Sequence, residues 1–130
     1  MSRNAALVAM CLLFSSLVLG ACRSLSGEAG SPRSPAAAYA EDPVALKRGR
    51  GIFLGTCAGY CHSLRGGGAG DVPDLFDCDW RHGGSDEEIF ASIYKGYPGT
   101  RMIAFGGKLD DEDLWKVVAY LRAASRCATE

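Results

Sequence analysis

The chain has 130 residues, 48% of them hydrophobic, with 14 Lys and Arg against 15 Asp and Glu and a formal net charge of −1. A length of this order holds one small domain plus extensions, and a near-zero charge balance excludes the basic footprint of a nucleic-acid binder. Six cysteines are many for the length. Whether they mean cross-links or metal and redox chemistry depends on the compartment.

The N-terminus bears on that. It places Arg3 ahead of an apolar run from Ala5 to Leu19, closed by small residues. The run is short for a spanning helix and polar sequence follows at once, so an export signal over residues 1–21 is expected. The closing Leu19-Gly20-Ala21-Cys22 resembles a bacterial lipobox. That resemblance implies cleavage before Cys22, lipidation of Cys22 and a membrane-anchored protein facing the periplasm. The alternative is an ordinary signal peptide cut nearby, with Cys22 incidental. Arg23 after the cysteine, where an Asp would direct otherwise, implies by the same resemblance the outer membrane. Residues 22–41 are dominated by Ser, Gly, Pro and Ala without an apolar period, and are expected to be a flexible tether.

The folded unit is expected over 42–126, with 127–130 as a tail. Its first helix starts at Asp42 as N-cap and Pro43 as first helical residue, with Leu46, Gly49 and Phe53 on one face. Gly49 there allows another helix to approach closely. A second helix is signalled by Ser85 and Glu88 as a capping box, with Ile89 and Ile93 lining one face and Gly96 and Pro98 as its stop. A third begins in the acidic run at Asp110 to Asp113, buries Leu114, Val117, Val118 and Leu121, and carries Arg122 and Arg126 near its end. No stretch alternates with period two, so the fold class is all-α. Between the first two helices lies a long glycine-rich loop, which in so small a domain needs a reason such as wrapping a flat cofactor.

The stretch that carries chemistry is Cys57-Ala-Gly-Tyr-Cys61-His62. Two cysteines with a histidine directly after the second suit thioether attachment of haem, the histidine serving as proximal iron ligand. The usual spacing has two residues between the cysteines and this one has three. Ala58 and Gly59 are small, and Gly59 tolerates unusual dihedrals, so a bulged loop is expected to absorb the extra residue. With the signal removed the chain holds one methionine, Met102, in an irregular segment. Its thioether suits the sixth position opposite His62; the plainer role for a lone methionine is core filler.

These elements together resemble a small class I monohaem cytochrome c over residues 42–125. Gly49 and Phe53 precede the cysteines, the attachment motif follows, and "DVPDL" resembles the family's Gly-Pro-Asp-Leu element. "MIAFGGKL" resembles its Met-Pro-x-Phe loop with Ile103 in place of proline, and "DEDLWKVVAYLR" resembles the terminal helix. The resemblance implies a cytochrome c fold of three main helices and long loops around one covalently bound haem c. It implies Cys57 and Cys61 as attachment points, His62 and Met102 as axial ligands, and the Pro73 carbonyl as acceptor for the His62 imidazole. Tyr120 is expected to pack on the first helix near Gly49.

Other assignments stay open. His82 is a second candidate for the sixth position. Trp80 and Arg101 could sit beside haem propionates or serve as loop packing and surface charge. Cys78 and Cys127 are left over, and pairing them is not the default, since their separation in space is not legible. A zinc-stabilised interaction module would use Cys57, Cys61, His62 and Cys78 or His82; a haem peroxidase or ligand sensor would leave the sixth site open; a thiol oxidoreductase would want its cysteines at a helix N-terminus in an α/β frame. The expectation is a lipid-anchored periplasmic electron carrier rather than an enzyme, with a periplasmic dehydrogenase or terminal oxidase as redox partner.

Overall fold

Helix formation follows the capping residues closely. In the computed structural model, which describes residues 33–65 and 70–127, the Asp42 side chain accepts from Val44 N–H and Pro43 opens a helix over Pro43–Ile52 (α2). Ser85 and Glu88 form a reciprocal capping box at the start of Asp86–Lys95 (α3). Three acidic residues occupy the first turn of Asp111–Ala123 (α4). Among the described residues there is no strand, only an isolated bridge between Gly106 and Leu109, and no helix is long and apolar enough to cross a membrane.

A fourth helix, Pro35–Ala40 (α1), precedes these. It corrects the end of the expected tether. Ser34 caps it, accepting from Ala37 N–H at 3.3 Å, and Ala36 is buried in the core. Small Ala side chains read as linker in composition, yet they let a short helix lie close against α4, with the Lys116 ammonium 5.5 Å over the Tyr39 ring. The expected signal segment, Cys22 and the expected tether up to residue 32 lie outside the described residues.

α2 crosses α4 at Gly49, where a Cβ would collide with the Lys116 carbonyl oxygen. The expected stripe of α4 is buried in full. Phe53 packs edge-on to Phe76 with ring centres 5.5 Å apart, and Tyr120 lies 5.5 Å from Phe53. Arg126 is not part of α4, which ends at Ala123; it pairs with Asp74 instead. Cys78 and Cys127 form a disulfide, with Cα atoms 5.7 Å apart. The expected tail therefore begins with a residue fastened to the domain, and the two cysteines are not the unpaired thiols of the default reading. Chain folding brings together residues 49 apart in sequence, which no local pattern records.

Candidate functional site

α2 does not stop at Ile52. It widens into a π-helical turn over Phe53–Cys57, a form often found at functional sites. Ala58 N–H donates to the Phe53 carbonyl at 2.8 Å, and His62 N–H to the Cys57 carbonyl at 3.0 Å. Both bonds span five residues rather than four. Cys61 N–H also donates to the Cys57 carbonyl, at 3.4 Å, so that one carbonyl closes the turn that carries Cys61 and His62. Gly59 is not among the residues with positive φ, so the expected role for its conformational freedom does not hold.

Cys57, Cys61, His62, Pro73 and Met102 all line one cavity of about 440 Å³. This is the size range of small-molecule and cofactor sites. His62 Nδ1 lies 3.2 Å from the Pro73 carbonyl oxygen. A carbonyl only accepts, so the bond requires the proton on Nδ1 and leaves Nε2 with its lone pair. Burial lowers the His62 pKa, opposed by the bond to Pro73, so the neutral, ligating form of the ring is favoured. Both cysteines are free thiols. Burial, then the proximity of Cys61, pushes the Cys57 thiol up to about 11. At neutral pH it stays protonated, the opposite of a thiol oxidoreductase's low-pKa nucleophile.

Met102 is half-buried against the core. Its loop is closed by a ring of hydrogen bonds. Tyr97 N–H donates to the Met102 carbonyl at 2.9 Å. Met102 N–H donates to the Thr100 hydroxyl at 3.1 Å, and that hydroxyl donates to the Tyr97 carbonyl at 2.8 Å. Gly96 opens the loop with φ of 61°, and a Cβ there would lie 2.6 Å from the Met102 carbonyl oxygen. Ile103, in the place of a rigid proline, is 55% exposed; the restraint comes from Thr100 and Gly96. Thr100 and Tyr97 were not singled out in the sequence, although a Thr two residues before Met102 in a Pro-Gly-Thr turn is a recognisable side-chain-to-backbone signal.

His82 lines the same cavity but is exposed, stacked 4.2 Å from the Tyr97 ring. Trp80 and Arg101 also line it. Trp80 lies beneath the Arg122 guanidinium at 5.8 Å, and Arg101 pairs with Asp71 at 3.1 Å. The zinc alternative loses a donor, because Cys78 is held in a disulfide. Among the described residues no group of three or more His, Cys, Asp or Glu side chains could hold a metal ion.

The helical frame, the Cys-x-x-x-Cys-His stretch at the end of its first long helix and a methionine lining the same cavity as the histidine define a cytochrome c domain. Residues 44–121 match the family model described as cytochrome c oxidase, cbb3-type, subunit III, and the chain belongs to this family. It is 34% identical over 91 residues to the cbb3-type cytochrome c oxidase subunit CcoP of Rubrivivax gelatinosus, covering 70% of this chain and 30% of that protein. It is 36% identical over 95 residues to the subunit FixP of Bradyrhizobium sp. (strain ORS 278), covering 66% and 32%. The chain thus spans about a third of the length of these relatives. No solved structure matches it significantly.

Proposed function

We propose that this protein is a periplasmic single-electron carrier with one haem c, attached through Cys57 and Cys61 and ligated by His62 and Met102. The reading is carried by one observation. Two free cysteines, a histidine whose Nδ1 is committed to the Pro73 carbonyl and a methionine thioether line a single cavity. That donor set is the one a covalently held, six-coordinate haem needs. When bound, its iron supplies a one-electron couple. The chain's own residues do the rest. Pro73 holds the imidazole in one tautomer and orientation. The Thr100 ring of hydrogen bonds holds the thioether. The mostly apolar walls, Phe53, Leu75, Ile89 and Val117 among them, limit the water that reaches the site and so support a raised potential. On this reading the chemistry of a dehydrogenase or oxidase is left to a partner.

The disulfide supports a compartment outside the reducing cytosol, and the lipobox-like sequence supports anchoring through acylated Cys22. Because the relatives are named as cbb3-type oxidase subunits, a terminal oxidase is the proposed acceptor and a periplasmic dehydrogenase the proposed donor.

Protein matured in a periplasm tests this directly. Its absorption spectrum should be that of a low-spin c-type cytochrome, and its intact mass should equal the chain from Cys22 plus one haem and the acyl groups. Met102→Ala should abolish the weak sulfur-to-iron band toward the red end and admit carbon monoxide to the reduced protein. An unchanged spectrum removes Met102 from the site and leaves His82 as the candidate. Rapid carbon monoxide binding by the unaltered protein would favour a sensor or peroxidase with an open sixth position.

A further inference from the structure

The Pro73 carbonyl that accepts from His62 lies in a stretch without helix or strand between residues 70 and 85. Such a carbonyl is only as well placed as whatever ties its stretch down. Besides the Arg101–Asp71 pair two residues upstream of Pro73, ties come from the residues just beyond α4. Arg126 N–H donates to the Phe76 carbonyl at 2.7 Å. The Arg126 guanidinium donates to Asp74 Oδ2 at 2.5 Å and lies 5.5 Å over the Phe76 ring. Cys127 is cross-linked to Cys78, the one non-glycine described residue with positive φ, 71°. Asp74 passes these ties inward. Its side chain is only 13% exposed, and its other oxygen accepts from Phe76 N–H at 2.9 Å. The carboxylate gripped by Arg126 therefore also sets the turn that begins one residue after Pro73. Arg126 and Cys127 both lie beyond the residues matched to the family, 44–121, so the match does not account for them.

We propose that Arg126 and the Cys78–Cys127 disulfide are positioning residues for His62: they fix the Pro73 carbonyl so that the imidazole Nδ1–H stays bonded, and so hold the potential of the site down. This rests on the reading of His62 as an iron ligand. A carbonyl that accepts the Nδ1 proton makes Nε2 the stronger donor. A stronger donor favours ferric over ferrous iron, second-shell hydrogen bonding being one of the levers on haem potential. Slack in the 73–78 segment weakens the bond and moves the potential upward.

The matured full chain is compared with Arg126→Gln, Arg126→Lys and the double variant Cys78→Ser/Cys127→Ser. Arg48→Ala is the control, since it breaks an ion pair to Asp113 that does not involve this segment. The readouts are the midpoint potential, the proton NMR signal of His62 Nδ1–H with its solvent exchange, and the melting temperature. Arg126→Gln and the double variant should shift the electron-transfer equilibrium about threefold toward ferrous iron, about 30 mV for a one-electron couple, and speed exchange of the Nδ1 proton. Arg126→Lys keeps the charge and should give a smaller shift. Arg48→Ala should lower the melting temperature alone. Variants that melt earlier while potential and Nδ1–H exchange stay at the parent values would show the ties to be structural and overturn the proposal, as would an equal potential shift in Arg48→Ala. Arg126→Gln keeps the disulfide, so the test stands if the double variant fails to mature. The ligand reading fails separately: a parent protein without covalent haem, or a His62→Ala variant with an unchanged spectrum, overturns that reading and this proposal with it.

Discussion

Asp113 is buried on α4 yet charged, and Arg48 of α2 donates to both its oxygens, from Nε at 3.1 Å and Nη2 at 2.5 Å. Those bonds, against the cost of burial and with the help of the Arg48 and Lys116 charges, hold its carboxyl below the ordinary value. At Asp86 burial pulls upward, but hydrogen bonds from Ser34 and Arg122 and the Arg122 charge outweigh it, and that carboxyl is also depressed. A depressed folded pKa means the unfolded chain takes up protons first. The stability these groups contribute is therefore fully present above the ordinary value of 3.8 and is lost as pH falls through their folded values. The part of the pH dependence due to these two carboxylates should be flat from pH 7 to about pH 4 and then decline in thermal melts. In Arg48→Ala the part of that decline due to Asp113 should be smaller, because its carboxyl is no longer held down. At this scale much of the candidate site was legible. His62, Met102 and Pro73 could be named from the sequence because each belongs to a short contiguous element. Asp74 and Arg126 could not be paired, because they lie 52 residues apart and each reads alone as surface charge.

Among the elements, α2 and α3 were readable almost to the residue, because their caps are side-chain chemistry written beside the helix. Ser85→Ala should cost about 1 kcal/mol in a denaturation series by removing the hydroxyl that accepts from Glu88 N–H, while the bond from the backbone N–H of residue 85 to the Glu88 carboxylate does not depend on that side chain. Gly49→Ala sets two effects against each other. Alanine favours a helix interior by about 1 kcal/mol. The added Cβ would, however, collide with a backbone carbonyl of α4, which cannot rotate aside as a side chain would. Overpacking of that kind costs about 1–3 kcal/mol or more, so a net loss of stability should appear in a chemical-denaturation midpoint. α1 was missed for the converse reason. Six residues of Pro, Ala and Tyr are too short to be a stable helix alone, and only the α4 surface beneath them makes one. The π-helical turn was missed too, since helical period marks a face but not which carbonyl each N–H reaches.

At the scale of the whole molecule, the disulfide closes a loop that contains α3, the Met102 loop and α4. Chain-entropy estimates for a loop of this length give about 4 kcal/mol of stabilisation. Cys78→Ser/Cys127→Ser should lower unfolding stability by up to about that amount in urea, with the spectrum of the matured protein retained. Against it, Arg126→Gln alone should lose less stability while still moving the potential, which separates fastening the fold from placing the Pro73 carbonyl.

The sequence by itself indicated the all-helical frame, the Cys57–His62 stretch, the histidine and methionine that line the cavity and a resemblance to cytochromes c. Each of these is carried by residues within a few positions of one another, where helical period, capping and ligand adjacency act. Only the tertiary structure decided that Cys78 meets Cys127, that Arg126 grips Asp74, that residues 35–40 are helix and that Phe53–Cys57 is a π-helical turn. Those outcomes depend on burial and on contacts between distant parts of the chain, and distance in space is not written in local pattern.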